Sequence, residues 1–224
     1  MPELPEVETV RASLHARILN RPIIAIEPRS FPDVMGPRGL EEAQQSLVGR
    51  TIIATRRRGK YLVFDLDDET ALVVHLRMTG QLIATAPEHE PIPYEHLNIR
   101  LGPIANRPES GRLDLRFGDQ RKFGRVLHLS PEGLAATLAK LGPEPLADDF
   151  TVERLADILR GRQAPIKSTL LDQHRIAGLG NIYVDEALFR ARIHPRRTAG
   201  SLTPAETGQL HAAIRAVLNE GIAR

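Results

Sequence analysis

The second and third residues, Pro2 and Glu3, put an imino acid and a carboxylate side by side at the start of the chain. A methionine followed by a small residue such as proline is commonly removed during maturation, and Pro2 then presents a free secondary amine. Such an amine can attack an aldehyde-like sugar carbon and form a cationic iminium without any side-chain nucleophile. Glu3 beside it can shuttle protons. On residue type alone, the plainer alternative is that the two residues simply precede a helix. A second chemical hint lies in the bases. Of 30 Lys and Arg only four are lysine: Lys60, Lys122, Lys140 and Lys167. Lysine can lose its proton when buried or act as a compact point charge, and arginine does neither. Codon chance is the competing explanation. The absence of cysteine excludes disulfides, cysteine nucleophiles and cysteine zinc sites within these 224 residues. The 8 histidines show no HxxxH or HxH pairing, so no metal site is expected.

The elements that must position these groups fall into two regimes. Residues 5–19 read as a helix, with Val7, Val10, Leu14 and Ile18 on one face and Pro5 in the first turn. From Ile23 to Leu129 the pattern is mostly short branched or alternating runs, read as strands at 23–26, 51–56, 61–66, 72–76, 97–101, 113–117 and 126–129. The Pro- and Glu-rich stretch 86–95 and the Pro- and Gly-rich stretch 103–111 read as exposed loops. Residues 142–150, GPEPLADDF, read as a linker. Helical signals follow: Thr151 as a cap, a run at 166–171, a sharp Gly178–Asn181 turn into a helix through about Arg190, and a capping box at Thr203–Glu206. The expected fold class is α+β: an N-terminal helix plus β-sandwich domain at 1–130, a linker region at 131–150 and a helical domain at 151–224.

Charge and hydropathy narrow the partners. Residues 1–150 carry 19 Lys and Arg against 21 Asp and Glu, and the remainder carries 11 against 7. The C-terminal part is therefore the better docking surface for a polyanion. No run reaches the ~18 apolar residues of a membrane span. The acidic MPELPEVE start lacks the basic and apolar stretches of a secretory signal. A cytoplasmic location and no membrane partner are expected.

The opening PELPEVETVR at 2–11 resembles the start of the formamidopyrimidine-DNA glycosylases. The blocks RRGKYL at 57–62, HLRMTGQL at 75–82, DQRKFGR at 119–125, LGPEPL at 141–146 and GLGNIYVDEALF at 178–189 resemble further blocks of that family, in the family's order. The resemblance covers essentially residues 1–222. It implies a bifunctional DNA glycosylase and abasic-site lyase of base excision repair. The substrates would be oxidised purines, and the route an N-terminal proline iminium followed by β,δ-elimination. Pro2 would be the nucleophile, Glu3 the acid/base partner and Lys60 the β-hairpin lysine that contacts phosphate and assists elimination. Met78, Arg121 and Phe123 would fill the hole left by the flipped nucleotide, an apt set for unstacking bases. For Met78 and Phe123 the commoner fate is core packing. His96, Lys167 and Asn181 would bind DNA, Lys167 and Asn181 through phosphates near helix starts. A plain helix cap is the alternative for Asn181. Glu6 and Glu186 would support the N-terminus. The helical part would be a helix–two-turn–helix domain, and the partner damaged double-stranded DNA bound by a monomer.

Family members continue past Gly221-Ile222-Ala223-Arg224 into a loop over the flipped base and a four-cysteine zinc finger. The resemblance therefore implies a chain without that finger and its structural zinc. Abasic-site lyase activity is expected to survive such a loss better than base excision. The competing class is a non-catalytic damaged-DNA-binding protein, for which Pro2 would be dispensable. An RNA-binding protein is a third class, against which the blocks at 2–11 and 75–82 argue.

Overall fold

The computed structural model describes residues 2–36 and 39–224. Two compact units result. Among the described residues, one comprises Pro2 with Val7–Ala135, the other Glu3–Glu6 with Ala136–Arg224.

Helix α1 (Leu4–Ile18), which belongs to the first unit from Val7 onward, leads into that unit's β1 (Ile23–Pro28), α2 (Gly39–Leu47), β2 (Ile52–Arg58), β3 (Tyr61–Leu66), β4 (Ala71–His75), β5 (Gly80–Thr85), β6 (Glu95–Leu101), β7 (Leu113–Asp119) and β8 (Arg125–Leu129). The strands form two antiparallel four-stranded sheets, ordered β1-β6-β7-β5 and β2-β3-β4-β8. Alternation sets the inner faces. Leu97, Ile99 and Leu101 of β6 join Leu115 and Phe117 of β7 in one buried core with Leu62, Phe64, Leu72 and Val74 of the other sheet. Val7, Leu14 and Ile18 of α1 are buried in the same core, so the apolar face predicted for that helix is the packed one. This is the sandwich expected from the short strands. In these sheets Tyr61 lies opposite His75, and Gly80 opposite Asp119.

Two elements escape the sequence reading. Strand β5 follows directly on the Met78-Thr79 turn, so its Gly80 reads as part of the turn. Helix α2 sits inside what reads as a run of strands, although Ala43 and Leu47, one turn apart, are both buried.

In the second unit, α3 (Pro131–Leu138) precedes α4 (Val152–Leu159), α5 (Ile166–Leu171), α6 (Asn181–Arg190) and α7 (Pro204–Ala223). The boundary falls inside α3 at 135/136. The segment read as a linker is thus helical at its start, and Phe150 at its end is buried in the helical core with Leu155, Leu188 and Leu210. The Thr151 hydroxyl accepts from Arg154 N–H, and Thr203 and Glu206 form a reciprocal capping box. Both caps follow the sequence because their partners lie three residues away. Leu4 belongs to this core, and its N–H donates to the Gly178 carbonyl at 3.0 Å. That is why Glu3–Glu6 count with the helices. Among the described residues no helix is long and apolar enough to cross a membrane.

Candidate active site and nucleic-acid interface

The N-terminal segment is anchored by backbone donors. Glu3 is 1% exposed, and its carboxylate accepts from the Ile182 N–H at 2.9 Å and the Tyr183 N–H at 3.3 Å. These are first-turn amides of α6, which have no partner within their own helix. Glu3 therefore caps a helix from across the sequence. The helix's own N-cap residue, Gly180, makes no side-chain cap bond. The Glu3 N–H donates to Glu6 Oε2 at 2.8 Å, and Glu6 Oε1 accepts from the Tyr183 hydroxyl at 2.7 Å. Burial, and then the Glu6 carboxylate, push the Tyr183 phenol up, so it stays a donor. Pro2, the residue ahead of Glu3, is half-buried; Met1 lies outside the described residues.

Lys60 follows Gly59 in the turn between β2 and β3 and is half-buried. Arg57 braces this turn. Its guanidinium donates to the Gly59 carbonyl at 3.0 Å and to Glu8 on α1 at 3.1 Å. On the next strand the His75 ring packs edge-on against Tyr61 at 4.6 Å between centroids. Burial first, then the charges of Arg77 and Lys60, pull the His75 pKa down to about 3. The Arg77 N–H donates to His75 Nδ1 at 3.0 Å, which leaves the ring proton on Nε2. A neutral imidazole with a fixed donor nitrogen thus lies near the Lys60 ammonium, and the residue-type reading overlooked it. Its signal is the sequence position: His75 opens the block that carries Met78.

The unfolded imidazole takes a proton below about pH 6.5, whereas the folded one stays neutral to about 3. Stability is therefore lost as pH falls from about 6.5 toward 3. Urea melts at pH 7 and 4.5 should show that His75→Asn, whose amide oxygen can still accept from Arg77, reduces the acid-induced loss by about 2 kcal/mol. An unchanged difference between the two pH values would refute this.

The three residues expected to fill the flipped-base hole stand together in solvent. Met78 is 41% and Phe123 48% exposed, so neither has the core role that is commoner for its type. Arg121 Nη1 lies 3.0 Å from Met78 Sδ, and its guanidinium carbon lies 4.9 Å over the Phe123 ring. The β4–β5 and β7–β8 loops, each running from one sheet to the other, therefore present a single apolar and cationic ridge.

His96, expected at the DNA, is buried. It is 2% exposed; Nε2 donates to the Asp119 carbonyl at 2.7 Å, and Nδ1 lies 2.7 Å from the Ser30 hydroxyl. Both ring nitrogens are used within the protein. The side chain braces the loop that follows β7.

In the helical unit, Asn181 is the first residue of α6 and is exposed. It does not cap the helix, because Glu3 holds the next two amides. A phosphate there would meet the Asn181 side chain rather than an empty helix end. Lys167 on α5 is ion-paired with Asp185 of α6 at 2.8 Å. Glu186 is exposed on α6, where its charge helps raise the pKa of Arg190, after the Glu220 hydrogen bond. With no cysteine in the chain, and among the described residues no group of three His, Asp or Glu able to hold a metal, the residues present do not fit a structural zinc.

Residues 1–126 match the formamidopyrimidine-DNA glycosylase N-terminal domain and residues 141–224 match the H2TH domain of the same enzymes. The chain belongs to the formamidopyrimidine-DNA glycosylase family. Among relatives, the formamidopyrimidine-DNA glycosylase of Chloroflexus aurantiacus is 48% identical over 222 residues, 99% of this chain and 77% of that protein. That of Symbiobacterium thermophilum is 48% identical over 226 residues, 100% of this chain and 71% of the relative. The crystal structure of the Lactococcus lactis glycosylase non-covalently bound to DNA containing an abasic site superposes with a TM-score of 0.89. It is 36% identical and covers 99% of this chain and 82% of its own. A G226P mutant of that enzyme, in complex with Fapy-dG-containing DNA, gives 0.88 at 37% identity, covering 99% and 79%. Membership in the formamidopyrimidine-DNA glycosylases places the chain among the DNA glycosylases of base excision repair. It also gives the exposed ridge a context, since a glycosylase must take its target nucleotide out of the base stack.

Proposed function

We propose that this glycosylase excises oxidised purines from duplex DNA and cleaves the resulting abasic site, using the Pro2 amine. The observation that carries the reading is the anchoring of the residues behind Pro2. Glu3 is held through both its carboxylate and its N–H, and Glu6 is held by Tyr183. The nitrogen to be used in bond formation is one peptide away from this fixed point, so its approach is pre-oriented.

With Met1 removed, the Pro2 nitrogen adds to C1′ of the damaged nucleotide. The bond from C1′ to the base breaks, and the base departs with a proton. Opening of the sugar ring gives a C1′ iminium that draws electrons from the C2′–H bond. Loss of that proton expels the 3′ phosphate, loss of the C4′ proton in a second elimination expels the 5′ phosphate, and water then hydrolyses the iminium to free the Pro2 nitrogen. Glu3 serves as the carboxylate for ring opening and proton transfer. Lys60 holds phosphate and assists the eliminations. His75, with its proton on Nε2, supplies a neutral donor to the same backbone. Met78, Arg121 and Phe123 occupy the vacated position, with Arg121 able to hydrogen-bond the orphaned partner base. Damaged double-stranded DNA bound by a monomer is the partner, with Asn181 and Lys167 on flanking phosphates.

The direct test is borohydride trapping on duplexes containing 8-oxoguanine or an abasic site. A covalent adduct with both supports the full reaction, an adduct with the abasic site alone confines the activity to lyase chemistry, and no adduct from the folded, processed chain refutes the reading. Phosphate neutralisation has its own signature. Log affinity should fall linearly with log salt by roughly 0.9 per phosphate contacted, and Lys60→Gln should flatten the slope by about that amount. Anisotropy titrations at several salt concentrations measure it, and an unchanged slope would remove Lys60 from the phosphate contacts.

A further inference from the structure

Asp119, at the end of β7, is 1% exposed and lies in register with Gly80, the first residue of β5. Its carboxylate is the meeting point of two loops. Oδ1 accepts from the Thr79 hydroxyl, next to Met78, and from the Arg121 N–H at 3.1 Å. Oδ2 accepts from the Gly124 N–H at 2.7 Å, and the Phe123 N–H also donates to the carboxylate. The Thr79 oxygen in turn accepts from the Arg121 N–H at 3.3 Å. The main chain of Asp119 is equally committed. Its carbonyl accepts from His96 Nε2 and from the Lys122 N–H, and its N–H donates to Tyr94. Lys122 sits at φ 58, the left-handed conformation that curls the loop back onto the carboxylate. Burial would raise the pKa of this carboxyl, but the bonds from Thr79 and the loop amides outweigh it and hold the group below the usual range.

We infer that Asp119 is a positioning residue that joins the Met78 turn to the Arg121–Phe123 loop and so presents the three side chains as one preformed wedge. The inference rests on the wedge reading given above but goes beyond it, because Asp119 itself touches no DNA. The wedge side chains are exposed, and their own mutual contacts are a single N–H···S approach and one cation–π contact. Such contacts are too weak to hold two loops together in water. A buried, ionised acceptor receiving four donors is not. Having both loops fixed before DNA arrives removes the ordering cost from the insertion step.

The variant Asp119→Asn keeps the shape but replaces one acceptor oxygen with a donor that faces other donors. The readout is the fluorescence of 2-aminopurine placed opposite the lesion, which reports insertion of the wedge, together with excision from duplex DNA. Borohydride trapping on a single-stranded abasic oligonucleotide, which needs no wedge, is the reference. Asp119→Asn should slow the fluorescence change and lower duplex excision by on the order of tenfold more than it lowers single-strand trapping. Thr79→Val, which deletes only the bond from the Met78 side, should show a smaller loss in the same direction without endangering the fold. Arg121→Ala and Phe123→Ala separate the two levels of the argument. If they are impaired while Asp119→Asn inserts and excises like the wild type, the positioning role is wrong. If they too are unimpaired, the wedge reading itself fails and takes the role of Asp119 with it. An equal fall in duplex and single-strand reactions would show a general loss of structure and would also overturn the inference.

Discussion

Replacing Pro2 with glycine should cut the borohydride-trapped adduct on abasic-site DNA by at least about 100-fold. The substitution exchanges a secondary amine for a less nucleophilic primary one and removes the ring that limits its rotation. The bonds that anchor Glu3 and Glu6 are left intact, because none of them uses the Pro2 side chain. A second variant strengthens the test. A non-removable residue placed ahead of Pro2 turns its nitrogen into an amide, which is not a nucleophile, and the adduct should vanish. Both variants should melt like the parent protein. Wild-type adduct yield from either one would move the nucleophile elsewhere, with Lys60 the next candidate to substitute.

The second large effect is expected at Gly180. Its backbone, at φ −132, is open to any residue, so the constraint is one of space. A Cβ there would lie 2.3 Å from Cδ and 2.5 Å from Oε1 of Glu3. Gly180→Ala must therefore push the carboxylate off the Ile182 and Tyr183 amides. Overpacking and the lost cap together should cost about 2–4 kcal/mol in urea unfolding. Trapping on abasic DNA should fall by more than about tenfold, because the fixed point behind Pro2 moves. Gly208 is the internal contrast. It lies in α7, where an added methyl group would meet nothing within 4 Å, so Gly208→Ala should stabilise the protein by about 0.5–1 kcal/mol. Equal melting behaviour of the two variants would contradict the steric account of Gly180.

What the sequence made legible was local. Thr151, Thr203 and Glu206 announced their helices because cap and amide lie within three residues. The apolar face of α1 and the alternation of β6 and β7 announced the sandwich for the same reason. The exposure of Met78 and Phe123 departs from the core packing commoner for their types, and the family resemblance implies a wedge role for them. The remaining features depend on partners far apart in the chain. His96 is buried because Ser30 and Asp119 take up its two nitrogens, 66 and 23 residues away. Nothing near Asn181 indicates that the first turn of its helix is capped by Glu3. His75 carried no distinguishing pattern as a residue type; its neutral state arises from burial beside Arg77 and Lys60.

The bond from the Ile182 amide to Glu3 spans 179 positions. In terms of biosynthesis, the first residues made are among the last to be organised. A chain emerging from the ribosome exposes Glu3 early but can give its carboxylate those partners only after Ile182 and Tyr183 have been added. Until then the residues behind Pro2 lack the α6 amides that anchor them. Long-range closure of this kind slows folding, and here it also defers the anchoring of Glu3 until the helical unit exists.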